Sequence, residues 1–156
     1  MAGLPRTDGV ITLRSMREGD AASLIAGRDD EFHRWLGAGS PDPRPTAVIE
    51  LDGAVVGWVD HDRDADHPWL MPGQCNVGYF VFTVHRGRGI ATRAVQLLLD
   101  LLRDDTAVDE ATFLVDAENE ASLRLARTAG AVERDRFPNA AGREQVLLAA
   151  PVAPVG

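Results

Sequence analysis

The chain has 156 residues, 45% of them hydrophobic and 26% charged, a balance that specifies a soluble globular domain and excludes a disordered one. Its 24 acidic against 16 basic residues leave a net charge of −8, which argues against nucleic-acid binding, since that needs a basic face. The single cysteine, Cys75, can form no internal disulfide, the N-terminal MAGLPRTDG lacks the apolar stretch of a secretion signal, and no apolar run approaches membrane-spanning length. The expected setting is the cytoplasm, away from membranes. The expected organisation is one domain over residues 1–156, with a core from about 9 to 149.

GVITLR (Gly9–Arg14) reads as a strand. Asp20 is placed to cap a short helix with Ala21, Leu24 and Ile25 on one face, and a second short helix carries Phe32, Trp35 and Leu36 up to Gly37. GAGSPDPRP is loop. TAVIEL and AVVGWVD flank Asp52-Gly53, a two-residue hairpin signal. After the polar loop HDRDADHPWLMPG comes a strand over Gln74–Val84, then a helix from about Gly89 to Arg103, with Ala91, Ala94, Val95, Leu98, Leu101 and Leu102 inward. EATFLVDA is a strand. Asn119 caps a helix ending at Gly130, and two strands bracket FPNAAG before an apolar tail. No internal repeat and no dividing linker occurs. This order predicts an α/β fold with one mixed sheet and helices packed on it.

The join VHRGRGIATRAV (Val84–Val95) is the most informative segment. A strand feeding a helix through glycines presents unpaired backbone N–H groups, and the aligned peptide dipoles there amount to roughly half a positive charge. Gly87 and Gly89 allow close approach of a ligand to the backbone. Arg86, Arg88 and Arg93 add formal charge. From His67 to Leu99 there is no Asp or Glu, where the chain's average would place about five. A buried strand and an apolar helix exclude carboxylates too, but do not account for the arginines. The segment predicts a polyphosphate-binding loop.

Two common phosphate motifs fit poorly. A mononucleotide P-loop needs GK[ST] after its glycines, whereas Gly89 is followed by Ile90, Ala91 and Thr92; a dinucleotide turn needs a third glycine that this segment lacks. The pattern that fits is [RQ]-x-x-G-x-[GA], filled by Arg86, Gly89 and Ala91. It resembles the acetyl-CoA pyrophosphate loop of the GNAT N-acetyltransferases. NVGYFV, RGRGIATRAV and NEASLRLARTAGA together resemble the RimJ/RimL-type branch, which acetylates ribosomal-protein alanines. The resemblance runs from the first strand to about Glu133.

That resemblance implies a GNAT fold, a central mixed sheet with helices on both faces and a splayed parallel strand pair, here Gln74–Val84 and Glu110–Asp116. Acetyl-CoA is the implied cosubstrate, with no metal. Pantetheine is expected along the backbone near Phe80 and Val81, and the pyrophosphate on the amides of Gly87, Arg88, Gly89, Ile90, Ala91 and Thr92, next to Arg86. A backbone N–H near Val81 or Phe82 is expected to stabilise the oxyanion. The implied reaction is direct attack of a primary amine, from a small molecule or a protein N-terminus, on the thioester. Cys75 is then no nucleophile but a small buried apolar residue. The alternative is a CoA-binding module of the same fold with little catalysis; a nucleotide-binding protein rests on the glycine loop alone. The oligomeric state stays open, a homodimer included.

For acid–base chemistry the chain departs from many relatives. A tyrosine seven residues after the motif asparagine is replaced by Ala126, and a glutamate five residues before it by Leu114. The resemblance points instead to Ser122, in Asn-x-x-Ser, near the sulfur; its other reading is a helix-start serine. Asn119 is read both as a plain cap and as a site residue. Asp60 is the candidate base, facing the acceptor cleft directly or through water. Asp62, Asp64 and Asp66 have calcium-loop spacing, but position 6 is His67 and position 12 is Gly73, so a solvated acidic loop is expected. Trp35, Trp58 and Trp69 are read as core packing, and His85 as orienting the phosphate loop.

Overall fold

A computed structural model describes residues 3–63 and 66–152. Among the described residues eight strands form one mixed sheet in the order β1-β2-β3-β4-β5-β6-β8-β7, accompanied by four α-helices. No described helix is long and apolar enough to cross a membrane. The fold divides into two compact units. The first takes in residues up to Asp60 together with Tyr79–Leu98, and the second His61–Gly78 together with the chain from Leu99 onward.

The first unit begins with β1 (Arg6–Thr7), β2 (Thr12–Arg14), α1 (Asp20–Ala26) and α2 (Asp30–Leu36), and continues through β3 (Ala47–Leu51) and most of β4 (Ala54–Asp62). β1 to β4 form an antiparallel meander. Its tightest turn is the expected hairpin, with Asp52 at φ 51° and Gly53 at φ 81°, the left-handed pair that Asp-Gly tolerates. Ile11, Leu13, Leu24, Val48, Ile49, Val56 and Val59 are buried in this unit.

Asp20 does not cap α1. Gly19 is the cap residue, with φ 90°, and Asp20 is the first helical residue. Its carboxylate accepts bonds from the Arg17 N–H (2.7 Å) and from Arg14 Nη1 (2.7 Å), while Arg14 Nε reaches Glu50 Oε2 (2.6 Å). Arg14 and Asp20 are both buried, and a buried arginine needs such partners. The Arg14 guanidinium and the Arg17 N–H thus take that carboxylate in place of the helix's own N–H groups.

The second unit contains the start of β5 (Gln74–Val81), the end of α3 (Ile90–Arg103), β6 (Glu110–Asp116), α4 (Glu120–Thr128), β7 (Val132–Pro138) and β8 (Glu144–Pro151). β5 runs parallel to β6 over Gln74–Asn76 and Glu110–Thr112, and continues five residues beyond. All seven residues of β6 pair with β8, which lies between β6 and the edge strand β7. Six consecutive residues of β8 are buried, and the five from Val146 to Ala150 form a continuous apolar run. β7 is exposed along nearly its whole length, and its charges and the bulge at Glu133/Asp135 suit an edge. Helix α4 ends as expected, with Gly130 at φ 93°.

Several boundaries differ from expectation: β2 begins at Thr12 instead of Gly9. β4 extends through His61 and Asp62, and β5 stops at Val81 instead of Val84, because Thr83–His85 form a 3-10 turn. None of the tryptophans belongs to the core: Trp35, Trp58 and Trp69 are each half-buried, and their indoles keep partial access to water.

Candidate functional site

The predicted loop lies in the first unit. β5 ends at Val81, and the 3-10 turn is closed by His85 N–H to Phe82 O (2.9 Å) and Arg86 N–H to Thr83 O (3.1 Å). Gly87 and Gly89 follow with φ 78° and 75°, and no heavy atom lies within 4 Å of a Cβ built on either. The Gly89 carbonyl accepts the Arg93 N–H (3.0 Å), opening α3. Among the described residues no acceptor pairs with the backbone N–H groups of Gly87, Arg88, Gly89, Ile90, Ala91 or Thr92. Ahead of a 14-residue helix these donors form an anion-seeking surface.

The arginines are not equivalent. Arg88 is exposed. Arg93 pairs with Asp8 (2.9 Å). The Arg86 guanidinium turns inward: Nε donates to Val81 O (2.9 Å), Nη1 and Nη2 reach the Asp29 carboxylate (3.0 and 3.2 Å), and its carbon sits 5.0 Å from the centre of the Phe80 ring. Asp29 also accepts the Phe32 N–H (2.9 Å), capping α2, and a bond from the Thr83 hydroxyl. Burial pushes the Asp29 carboxyl up, but these donors outweigh it and hold it at about 2. Asp29 escaped the sequence reading, although an aspartate directly before a helical run is a capping signal.

Phe80 and Val81 are buried, and Phe80 meets Phe32 edge-to-face at 5.1 Å. Gly57 of β4 lies so close that a Cβ there would be 2.1 Å from Phe80 O. The Phe82 N–H donates to Val56 O (2.8 Å), so it is committed within the fold and is not an oxyanion donor. Alternation along a strand turns the Val81 N–H the opposite way. Asp60, in the same unit, is half-buried, and its Oδ1 accepts the N–H (2.9 Å) and hydroxyl (2.7 Å) of Thr46. His85 Nδ1 is buried without a hydrogen-bond partner, so no bond from that atom orients the loop.

Asn119 and Ser122 belong to the second unit. The Asn119 side-chain oxygen accepts the Ser122 N–H (3.3 Å) at the third helical position, as a cap does, and Ser122 is half-buried. Asp116, just upstream, is held by Arg143 (2.6 Å), which together with the Glu118 N–H lowers its carboxyl despite burial. Ala126 is fully buried, so the place that holds tyrosine in many relatives is a core position here. An open groove of about 580 Å³ along α4 is lined by Ala117, Glu120, Leu123, Arg124, Arg127 and Thr128, none of them a predicted site residue.

Cys75 is fully buried, and burial pushes its thiol up, away from the reactive thiolate. In the acidic loop His67 bonds Asp62 (3.1 Å) and stacks on Trp69 at 5.0 Å; Asp64 lies outside the described residues. Among the described residues no group of three or more His, Cys, Asp or Glu is arranged to hold a metal ion.

The family model described as the acetyltransferase (GNAT) domain matches residues 11–132, running through both units. A search of the curated proteins found no match. Among solved structures, a GNAT-family acetyltransferase from Bacillus anthracis superposes with a TM-score of 0.79 at 13% identity, covering 95% of this chain and 98% of that one. Aminoglycoside acetyltransferase AAC(6')-Ib, in complex with coenzyme A and kanamycin, gives 0.78 at 20% identity over 90% and 94% of the two chains. Mycobacterium smegmatis RimJ, in complex with CoA-disulfide, gives 0.71 at 22% identity over 90% and 81%. Identities this low carry the fold alone.

Proposed function

Since the chain belongs to the GNAT acetyltransferase family, we propose that it uses acetyl-CoA to acetylate a primary amine, by direct attack of the amine on the thioester in a ternary complex. The observation that carries this reading is the row of six unpaired N–H groups from Gly87 to Thr92, opening a long helix. Such a row suits a pyrophosphate. The pantetheine arm then follows β5 at Phe80 and Val81, beyond its last register pair with β6. The Val81 N–H is the oxyanion donor, a role that elsewhere supplies about 3–4 kcal/mol. Ser122 protonates the departing thiolate, Asn119 sets the first turn of α4, and Asp60 takes the amine proton. Both units serve one catalytic domain in this reading.

The acceptor class we favour is a protein N-terminus, as in the RimJ/RimL-type branch, supported by the motif run NEASLRLARTAGA. A net charge of −8 favours a cationic amine over an anionic one. The second reading, a CoA-binding module with little catalysis, draws on Ala126 and Leu114, which stand where many relatives carry acid–base groups.

Two measurements test the proposal. Acetyl-CoA and desulfo-CoA at a hundred times Kd should each stabilise the fold by about 2.7 kcal/mol, whereas NAD should do little; a larger effect of NAD overturns the cofactor assignment. Thiol release from acetyl-CoA is then followed with N-terminal peptides, aminoglycosides and polyamines. Release with at least one amine supports the enzyme, and binding without release with any of them supports the module. In either case a folded Gly89→Asp variant should lose acetyl-CoA, because a carboxylate would stand where the phosphate approaches.

A further inference from the structure

Arg86, the first residue of the phosphate-loop pattern, is occupied inside the fold. Its three nitrogens bond Val81 O and the Asp29 carboxylate, and its guanidinium carbon lies over the Phe80 ring. Asp29 in turn grips the 3-10 turn at both ends: one carboxylate oxygen takes the hydroxyl of Thr83, the turn's first residue, and both oxygens face Arg86, the residue that follows its last. The same carboxylate caps α2 through the Phe32 N–H. The row of unpaired N–H groups begins at Gly87, the next residue along.

We propose that Asp29 is a positioning residue for the cofactor loop: acting through Arg86 and Thr83, it fixes the direction in which the N–H groups of Gly87–Thr92 point, without touching the cofactor. The assignment rests on the cofactor reading above. It changes the part played by Arg86, whose guanidinium braces the loop while its neighbours' backbone meets the phosphate. Two glycines at positive φ leave the loop little stiffness of its own. The direction of its donors must therefore be imposed from outside, and the Asp29 carboxylate is where the two ends of the preceding turn are tied.

The test is a double-mutant cycle of Asp29→Asn and Arg86→Gln in the full chain. Asparagine still caps α2 but gives up the ion pair with Arg86, so the melting temperature of the ligand-free protein should fall by only roughly 2–8 °C and the fold should survive. Each single variant should weaken coenzyme A binding by about tenfold, and the double variant should bind no worse than the weaker single, as residues acting as one unit do. kcat at saturating acetyl-CoA should hold while KM rises. Losses that multiply in the double variant, or an Asp29→Asn protein that binds coenzyme A like the parent, overturn the proposal and make Arg86 a direct phosphate ligand. Amide relaxation of Gly87–Thr92 in the ligand-free variants judges the brace independently of the cofactor. If the parent chain binds no coenzyme A, the functional reading fails by itself. The brace still stands if Asp29→Asn loosens those amides, and falls if it leaves them unchanged.

Discussion

Gly57→Ala tests the contact that sets how β4 meets the end of β5. Gly57 sits in extended strand, where alanine would ordinarily stabilise by about 0.4–1 kcal/mol through the unfolded chain. Here the added Cβ would lie 2.1 Å from Phe80 O, 3.0 Å from Val81 Cα and 3.1 Å from Phe80 C. Carbon–oxygen contacts between strands settle near about 3.3 Å, so the strands must part by roughly 1.2 Å. The first obstacle is a backbone oxygen and cannot swing aside as a side chain would. The cost therefore belongs at the upper end of the overpacking range, about 3 kcal/mol. For a chain of this length that is a fall in melting temperature of roughly 6–12 °C. The same displacement would strain the bond from the Phe82 N–H to Val56 O, so acetyl-CoA binding should weaken with stability. Calorimetry on parent and variant gives the shift. A Gly57→Ala protein as stable as the parent, or more so, would show that the strands do not meet as closely as this argument requires.

Two other predictions concern chemistry and pH. Ser122→Ala should lower kcat by about 10–10³-fold with little change in acetyl-CoA affinity; turnover at the parent rate, with chemistry limiting, would leave Ser122 a helix-start residue. Ala126→Tyr, which restores the tyrosine of many relatives, should not rescue it, because Ala126 is fully buried and a ring there costs about 1–3 kcal/mol by overpacking. Acid should destabilise the fold from about pH 4 downward. The carboxyls of Asp20 (by Arg14) and Asp29 (against burial, by Thr83, Phe32 and Arg86) lie below their usual 3.8, so both bind protons less readily when folded. Their contribution is present above that value and is lost as pH falls, toward about 2 for Asp29, whose share is about 1–2 kcal/mol. Melting temperatures that stay flat down to pH 3 would contradict those ion pairs.

The amino-acid sequence by itself determined the features whose causes lie within a few residues of chain. Asp52-Gly53 makes its hairpin, Asn119 caps α4, Gly130 ends it, and the glycines of RGRGIATR open α3 with unpaired donors, because each depends on local φ preferences and adjacent N–H groups. The motif pattern built on those residues was enough to reach the family. Tertiary structure alone decided what depends on partners far apart in the chain. β8 lies between β6 and β7, an order that no hydrophobic pattern encodes. Arg14 reached Glu50, 36 positions away, and Arg86 turned inward to Asp29, 57 positions away. Gly57 is small because of Phe80, whose carbonyl comes against it only once the two strands have met. A buried charge takes whichever partner the fold delivers, and that partner is identified by its position in space.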